Sequence, residues 1–170
     1  MLEEISQKFM AKSLGSCDVI CQRSGMSEQE REDFLKEFEE VRERSFVAFC
    51  VMGGVFSEGI DLTEEKLIGA IIVGVGLPQI GNEREVMKQY FEATGRDGFS
   101  FAYLYPGMNK VIQAAGRVIR TKSDEGVIAL LDERFTKSEY RQTFPREWND
   151  GKICDRHTVG DLVDDFWQKR

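Results

Sequence analysis

The sequence predicts an α/β domain with a mostly parallel β-sheet flanked by helices on both faces. The apolar runs "CDVICQ", "SFVAFCVM", "GAIIVGVGL" and "GVIALLD" are short and nearly continuous, as strands buried on both faces are. Between them lie segments whose apolar residues recur at helical spacing. The two patterns alternate, which indicates parallel strands joined by helical crossovers.

Taken in order, residues 2–14 predict an opening helix, with Leu2, Ile5, Phe9 and Leu14 at roughly helical spacing. "CDVICQ" follows as a short strand. Ser27 opens "SEQEREDFLKEFEEVRE", and Glu30 three residues on completes a capping box. Phe34, Leu35, Phe38 and Val41 form its apolar stripe, and the remaining charge reads as a solvated face. "SFVAFCVM" predicts a buried strand that ends in the loop "GGVFSEGIDL". "GAIIVGVGL" predicts the next strand, stopped by Pro78, and "NEREVMKQYFEATG" a helix with a C-terminal glycine. "GFSFAYLYPG" is expected to be part strand and part loop. A helix from about Met108 to Arg120 comes next, then the strand "GVIALLD" and a last amphipathic helix in "TVGDLVDDFWQKR". No repeat, low-complexity tract or linker interrupts the pattern, so residues 1–170 are expected to form one domain.

Composition narrows the function classes. The hydrophobic fraction, 41%, is that of an ordinary globular protein. No apolar run reaches the roughly 18 residues of a membrane span, and "MLEEISQKFMAK" has no secretory-signal core, so a cytoplasmic location with no membrane partner is expected. The net charge of −7 argues against a free-standing nucleic-acid binder. Cys17, Cys21 and Cys50 fall in strand-like runs, where a free cysteine acts as a small hydrophobe. No C-x-x-C pair marks a metal site, and His157 is expected on the surface.

Two segments carry candidate chemistry. Between Gly98 and Ser123 there is no acidic residue, yet Lys110, Arg117, Arg120 and Lys122 all fall there. On a helix, Gln113, Arg117 and Arg120 lie within about 60° of each other, opposite Val111, Ile112, Ala114, Ala115, Val118 and Ile119. Gly116 adjoins the polar side. Glycine inside a helix costs roughly 1 kcal/mol relative to alanine, which suggests close backbone approach by another group. The face is either a solvated polar surface or a grip for an anion, which planar guanidinium suits. The second segment, "GGVFSEGIDL", sets Gly53, Gly54 and Gly59 beside Ser57, Glu58 and Asp61 at the mouth of a strand. It is either a glycine-rich turn with a helix-capping Asp61 or a ligand loop. In parallel sheets ligands bind beyond the carboxyl ends of strands, where this loop and the region leading into the Arg117 helix are expected.

Together, "GGVFSEGIDL", "GAIIVGVGLP" and "QAAGRVIRTKSDEGVIALLDERF" resemble the second motor domain of superfamily 2 helicases, and within them the XPD/DinG family of ATP-dependent DNA helicases. "SEGID" resembles that family's motif V, here about residues 53–62. Q-x-x-G-R-x-I-R with the following D-x-G and D-x-R-F resembles motif VI, about residues 113–126 and onward. Order and spacing agree over roughly residues 45–148, and "SGMSEQEREDFLKEF" resembles the helix that precedes motif V in bacterial members. The resemblance implies a RecA-like fold. It also implies that Arg117 and Arg120 are arginine fingers, assisted by Gln113, for ATP and Mg²⁺ held mainly by a first motor domain of the same polypeptide. Glu58, Gly59, Asp61 and Gly116 would adjoin that nucleotide, Ser57 and Gly54 would contact single-stranded DNA, and translocation would run 5′ to 3′.

The sequence departs from a complete motor. It contains no G-x-x-x-x-G-K-[ST] and no DEAH-type box. "VIALLDE", ending at Asp132 and Glu133, imitates a magnesium-binding strand but reads better as a core strand with an acidic end. The family's cluster cysteines sit in the first domain, so any iron–sulfur cluster would lie outside this chain. Family domains open with a strand carrying motif IV, so an N-terminally truncated piece of a longer enzyme is expected. Two other readings stand beside this one. "GVGLPQIG" is similar to a dinucleotide fingerprint, but the spacing fails at Gln79 and Pro78 interrupts the helix start. A non-catalytic, helicase-derived interaction module is the other, and the retained Gln113, Arg117 and Arg120 argue against it.

Overall fold

A computed structural model describes residues 2–13, 15–54, 67–119, 121 and 123–169. The chain divides into two compact units, Met1–Leu67 and Ile68–Arg170.

The first unit contains helix α1 (Leu2–Ser13), strand β1 (Cys17–Cys21), helix α2 (Glu28–Lys36) and strand β2 (Ser45–Phe49). β1 and β2 pair in parallel, from Cys17 opposite Ser45 to Cys21 opposite Phe49. The capping box forms as expected. The Ser27 hydroxyl accepts from the Glu30 N–H at 3.3 Å, and the Glu30 carboxylate accepts from the Ser27 N–H at 2.7 Å. Such a cap contributes about 1 kcal/mol. Met26 and Phe34 are buried, with Ile20, Leu35, Phe38, Ala48, Cys50 and Leu67 packed against them. Burial pushes the Cys50 thiol up to about 11, so it stays protonated and behaves as a hydrophobe.

Helix α2 is shorter than its sequence pattern. It ends at Lys36, and Val41, expected in the apolar stripe, is exposed. Arg42 accounts for the difference. Its guanidinium donates to the Glu37 carbonyl at 3.1 Å, to the Glu37 carboxylate and to Asp18 at 3.2 Å, and lies 4.4 Å from the centre of the Phe46 ring. Of these partners Asp18, on β1, lies across the unit, and the chain leaves the helix before Arg42 reaches it.

The second unit is built on strands β3 (Gly69–Val73) and β4 (Val127–Leu131), paired in parallel from Gly69 opposite Val127 to Val73 opposite Leu131. The crossover between them holds helix α3 (Asn82–Ala93), a π-helical turn (Ser100–Leu104) and helix α4 (Tyr105–Ala115). After β4 come a 3-10 turn (Glu133–Thr136), helix α5 (Ser138–Arg141), a second 3-10 turn (Arg146–Trp148) and helix α6 (Val159–Gln168). Val75, Ala102, Leu104, Met108, Val111, Ala115 and Val118 are buried and form the core with Phe135 and Tyr140. Helix α4 packs against β3, where Ile72 is buried while its neighbours Ile71 and Val73 are exposed.

Two sequence expectations fail here. "GFSFAYLYPG" is helical, not part strand and part loop. The Asp97 carboxylate accepts from the N–H groups of Phe99 and Ser100 at 3.1 and 3.4 Å and starts the helical run. Ala102, Tyr103 and Leu104 then bury together, and that tertiary burial overrides the β-propensity of the aromatic residues. The strand "GAIIVGVGL" stops at Val73, because Gly74 turns the chain with φ at +84°.

Met108 is almost fully buried, so Met108→Ala is expected to lower unfolding free energy by about 2–5 kcal/mol. Ser27→Ala, which removes only the cap, is expected to cost about 1 kcal/mol. Urea denaturation of the two variants checks the ordering.

Candidate functional site

Helix α4 positions the residues around Gln113. Pro106 at its first turn has the φ a helix start requires. Met108, Val111 and Ala115 form its buried side, and Asn109, Gln113 and Gly116 are exposed. Gly107 lets the helix approach the loop after β3: a Cβ there would sit 2.7 Å from the Val75 carbonyl oxygen and 3.2 Å from the Leu77 Cα.

The helix does not continue to Arg120. It ends at Ala115, and Gly116 is its C-cap. The Arg117 N–H donates to the Ala114 carbonyl at 3.3 Å and the Val118 N–H to the Ala115 carbonyl at 3.0 Å, which tightens the last turn. Arg117 therefore projects from a tight turn beyond the helix, half-buried and engaged with its surroundings. Ile119, expected on the packed side, is exposed. A Cβ at Gly116 would meet the carbonyls of Ile112 and Gln113 in its own helix, at 3.2 and 3.6 Å. Its glycine thus marks a helix end, and among the described residues only its own helix lies within 4 Å of that Cβ position. Arg120 and Lys122 lie outside the described residues.

The turn returns to β4 through contacts that the sequence pattern did not single out. The Asp124 carboxylate accepts from the Thr121 N–H at 2.8 Å and from the Thr121 hydroxyl at 2.6 Å. A Cβ at Gly126 would collide with Val118 and sit 2.8 Å from the Ile68 carbonyl oxygen. The next residue, Val127, donates its N–H to that carbonyl at 3.0 Å. The D-x-G of "SDEG" is therefore a loop-closing carboxylate followed by a close backbone contact. Ile68 and Gly126 immediately precede β3 and β4, so the Arg117 turn lies at the amino ends of these strands. The region leading into α4 lies at their carboxyl ends, as expected, but Arg117 itself does not.

At the carboxyl ends stand Gly74, Gly76 and the Asp132–Arg134 pair. Arg134 grips Asp132 with two parallel bonds, Nε to Oδ1 at 2.8 Å and Nη2 to Oδ2 at 2.7 Å, and its N–H adds a third at 2.9 Å. Asp132 thereby caps the 3-10 turn that follows and is neutralised internally. It is no open carboxylate for Mg²⁺.

In the first unit, the loop "GGVFSEGIDL" is described only at its start. Gln22, which the sequence reading passed over, donates its N–H to the Phe49 carbonyl at 2.8 Å, and its side-chain oxygen accepts from the Val51 N–H at 2.8 Å. The Gly54 N–H donates to the Val51 carbonyl at 3.2 Å. A cavity of about 300 Å³, lined by Leu2, Glu3, Gln22, Arg23, Ser24 and Val51, opens at these strand ends. Ser57, Glu58, Gly59 and Asp61 lie outside the described residues. Among the described residues, no cluster of three His, Cys, Asp or Glu side chains comes together to hold a metal.

Residues 1–151 match the family model described as the helicase C-terminal domain. Over 120 residues the chain is 30% identical to a probable ATP-dependent helicase of Methanocaldococcus jannaschii, covering 65% of the chain and 18% of that protein. Over 132 residues it is 31% identical to a regulator of telomere elongation helicase homolog of Caenorhabditis briggsae, covering 71% of the chain and 13% of that protein. Over 107 residues it is 31% identical to the XPD helicase subunit of the general transcription and DNA repair factor IIH of Dictyostelium discoideum, covering 61% and 13%. The chain thus spans less than a fifth of the length of these relatives.

The carboxyl-end ion pair has an acid signature. Hydrogen bonds from Arg134 lower the Asp132 carboxyl from its ordinary 3.8 to about 2, against the opposing effect of burial. A lowered carboxyl pKa contributes stability above the unfolded value and loses it as pH falls through the folded one. Wild type is expected to exceed Asp132→Asn in unfolding free energy by about 1–2 kcal/mol at neutral pH, and the two should converge near pH 2. Denaturant titration across that range checks it.

Proposed function

Because this chain belongs to the helicase C-terminal domain family, we propose that it is the second motor domain of an ATP-dependent DNA helicase of the XPD/DinG type. In this reading both compact units are parts of one RecA-like domain whose parallel sheet is flanked by helices. The family match running from residue 1 to residue 151, through both units, supports it. ATP and Mg²⁺ are held on a first motor domain of the same polypeptide. The sequence carries no phosphate loop, and its one strand end resembling a magnesium site, Asp132, is already occupied by Arg134.

The role of this chain is then electrostatic. Arg117 and Arg120 reach the γ-phosphate as charge develops on it, and Gln113 orients the approach. Glu58, Gly59, Asp61 and Gly116 adjoin the same nucleotide. Ser57 and Gly54 contact single-stranded DNA, along which the resemblance implies movement 5′ to 3′. A role in DNA repair follows the same likeness. The observation that carries the reading is the anchoring of the Arg117 turn. Val118 is buried against Gly126, and Asp124 closes the loop, so the guanidinium leaves from a fixed backbone. A guanidinium carried on a fixed backbone spends less ordering energy at the moment of reaction, which suits an arginine finger.

The test uses the protein that carries both motor domains. Arg117→Ala or Arg120→Ala is expected to cut DNA-stimulated ATP turnover by roughly 10³-fold or more, while unfolding free energy changes by no more than about 1 kcal/mol. Arg→Lys should rescue poorly, since an ammonium lacks the planar fork. Alanine variants that unfold, together with Lys variants that turn over normally, would make both arginines structural.

A further inference from the structure

The crossover between β3 and β4 carries a second surface that the arginine-finger chemistry does not use. Helix α3 faces the following helical run with Arg84, Glu85, Lys88 and Phe91, which are half-buried. Arg84 lies 3.5 Å from the Ala102 carbonyl, Glu85 accepts from the Tyr103 hydroxyl, and a Cβ at Gly98 would collide with the Lys88 carbonyl. The two segments therefore touch backbone to backbone. Along their junction runs a continuous line of aromatic rings. Tyr90 meets Phe91 edge-on with centroids 5.5 Å apart, Phe91 stacks on Phe101 at 4.2 Å and 18°, and Phe101 meets Tyr105 edge-on at 5.3 Å. The two end rings are open to solvent, Tyr90 at 65% and Tyr105 at 43% exposure.

A cation sits on this line, and the backbone puts it there. After α3, Gly95 takes φ of +77° and its N–H donates to the Glu92 carbonyl at 3.0 Å. The Arg96 N–H donates to the Phe91 carbonyl at 3.0 Å. This pair of bonds is a Schellman motif, which folds the chain back over the last helical turn. Arg96 is thereby carried to 5.7 Å from the centre of the Phe101 ring. Asp97 immediately caps the next helical run, so both sides of Arg96 are fixed.

The chemistry of the strip selects its occupant. Exposed aromatic faces beside a guanidinium stack nucleobases and hold the adjoining phosphate. Of the carboxylates near the strip, Glu85 accepts from Tyr103, Glu92 lies 3.9 Å from Lys88 and Asp97 is held in its cap, while Glu83 stands two turns before Tyr90. No carboxylate occurs between Gly98 and Ser123, the stretch that contributes Phe101 and Tyr105, so nothing there repels a phosphate. We propose that Tyr90, Phe91, Phe101 and Tyr105, with Arg96, form a stacking platform for the bases of single-stranded DNA. The proposal rests on the helicase reading above and adds a site to it, distinct from the Gly54–Ser57 loop.

The experiment uses the protein with both motor domains, in wild-type form, as the Tyr90→Ala/Tyr105→Ala double variant and as the Tyr90→Phe/Tyr105→Phe double variant. The probes are fluorescent oligothymidylate and an abasic strand of equal length and phosphate count, followed by anisotropy. Both tyrosines are exposed, so ATP turnover without DNA should stay at the wild-type rate in every variant. The alanine variant is expected to bind oligothymidylate about fivefold to a hundredfold more weakly, with abasic binding nearly unchanged and the phenylalanine variant normal. Oligothymidylate binding that survives the alanine changes, as it would if the strip served a protein partner, overturns the platform while leaving the helicase reading intact. Equal loss on both probes also overturns it. A wild type that neither hydrolyses ATP nor binds either strand overturns the helicase reading and the platform together.

Discussion

The close backbone contact of helix α4 with the β3–β4 pair is the constraint on which the second unit depends. It is made at both ends by residues without a Cβ. Gly107 lets the start of the helix lie on Val75 and Leu77, and Gly126 lies against both Val118, just past its end, and the Ile68 backbone. A methyl group at either position would collide with backbone, and overpacking of this kind typically costs about 1–3 kcal/mol. With both ends fixed, the helix runs antiparallel to the strands. Its glutamine is turned outward, and the Arg117 turn is delivered to the amino ends of β3 and β4. The Asp132–Arg134 pair stands at the opposite, carboxyl ends. The Arg117 turn and the Asp132–Arg134 pair thus stand at opposite ends of the β3–β4 pair.

Much of this was legible in the sequence where local and tertiary demands agree. The capping box at Ser27 and Glu30 is a local device and formed as written. The four apolar runs became the four described strands, each five residues long, although Ile71 and Val73 of β3 and Leu131 of β4 are exposed. The pattern misled where a distant partner decided the outcome. Helix α2 stops early, and Arg42 beyond it reaches Asp18 on β1. "GFSFAYLYPG" has the composition of a strand, yet Asp97 caps it and the core buries its Ala102–Leu104 segment as a helix.

The candidate site was legible to a similar degree. Gln113 is exposed, as its helical position predicts, and Arg117 is near it in sequence but beyond the helix end. Apolar periodicity through Val118 and Ile119 argued for a longer helix, whereas Gly116, a poor interior residue, signalled its end. Thr121 and Asp124 in "TKSD" have the spacing of a side-chain-closed turn, and Gln22 carries no such local signal because its partners lie on the next strand. The aromatic line from Tyr90 to Tyr105 joins three segments, α3, the π-helical turn and α4, and only the fold brings them side by side.

In the proposed mechanism this domain supplies arginines to a triphosphate held by another domain. The most direct measurement is a crystal structure of the protein carrying both motor domains, bound to Mg²⁺ and an ATP transition-state analogue. The guanidinium of Arg117 or Arg120 is expected within about 3 Å of the γ-phosphate mimic, on a nucleotide seated in the other motor domain. A nucleotide seated on this domain's own loops, or both guanidiniums turned away from the mimic in the closed, DNA-bound state, would contradict it.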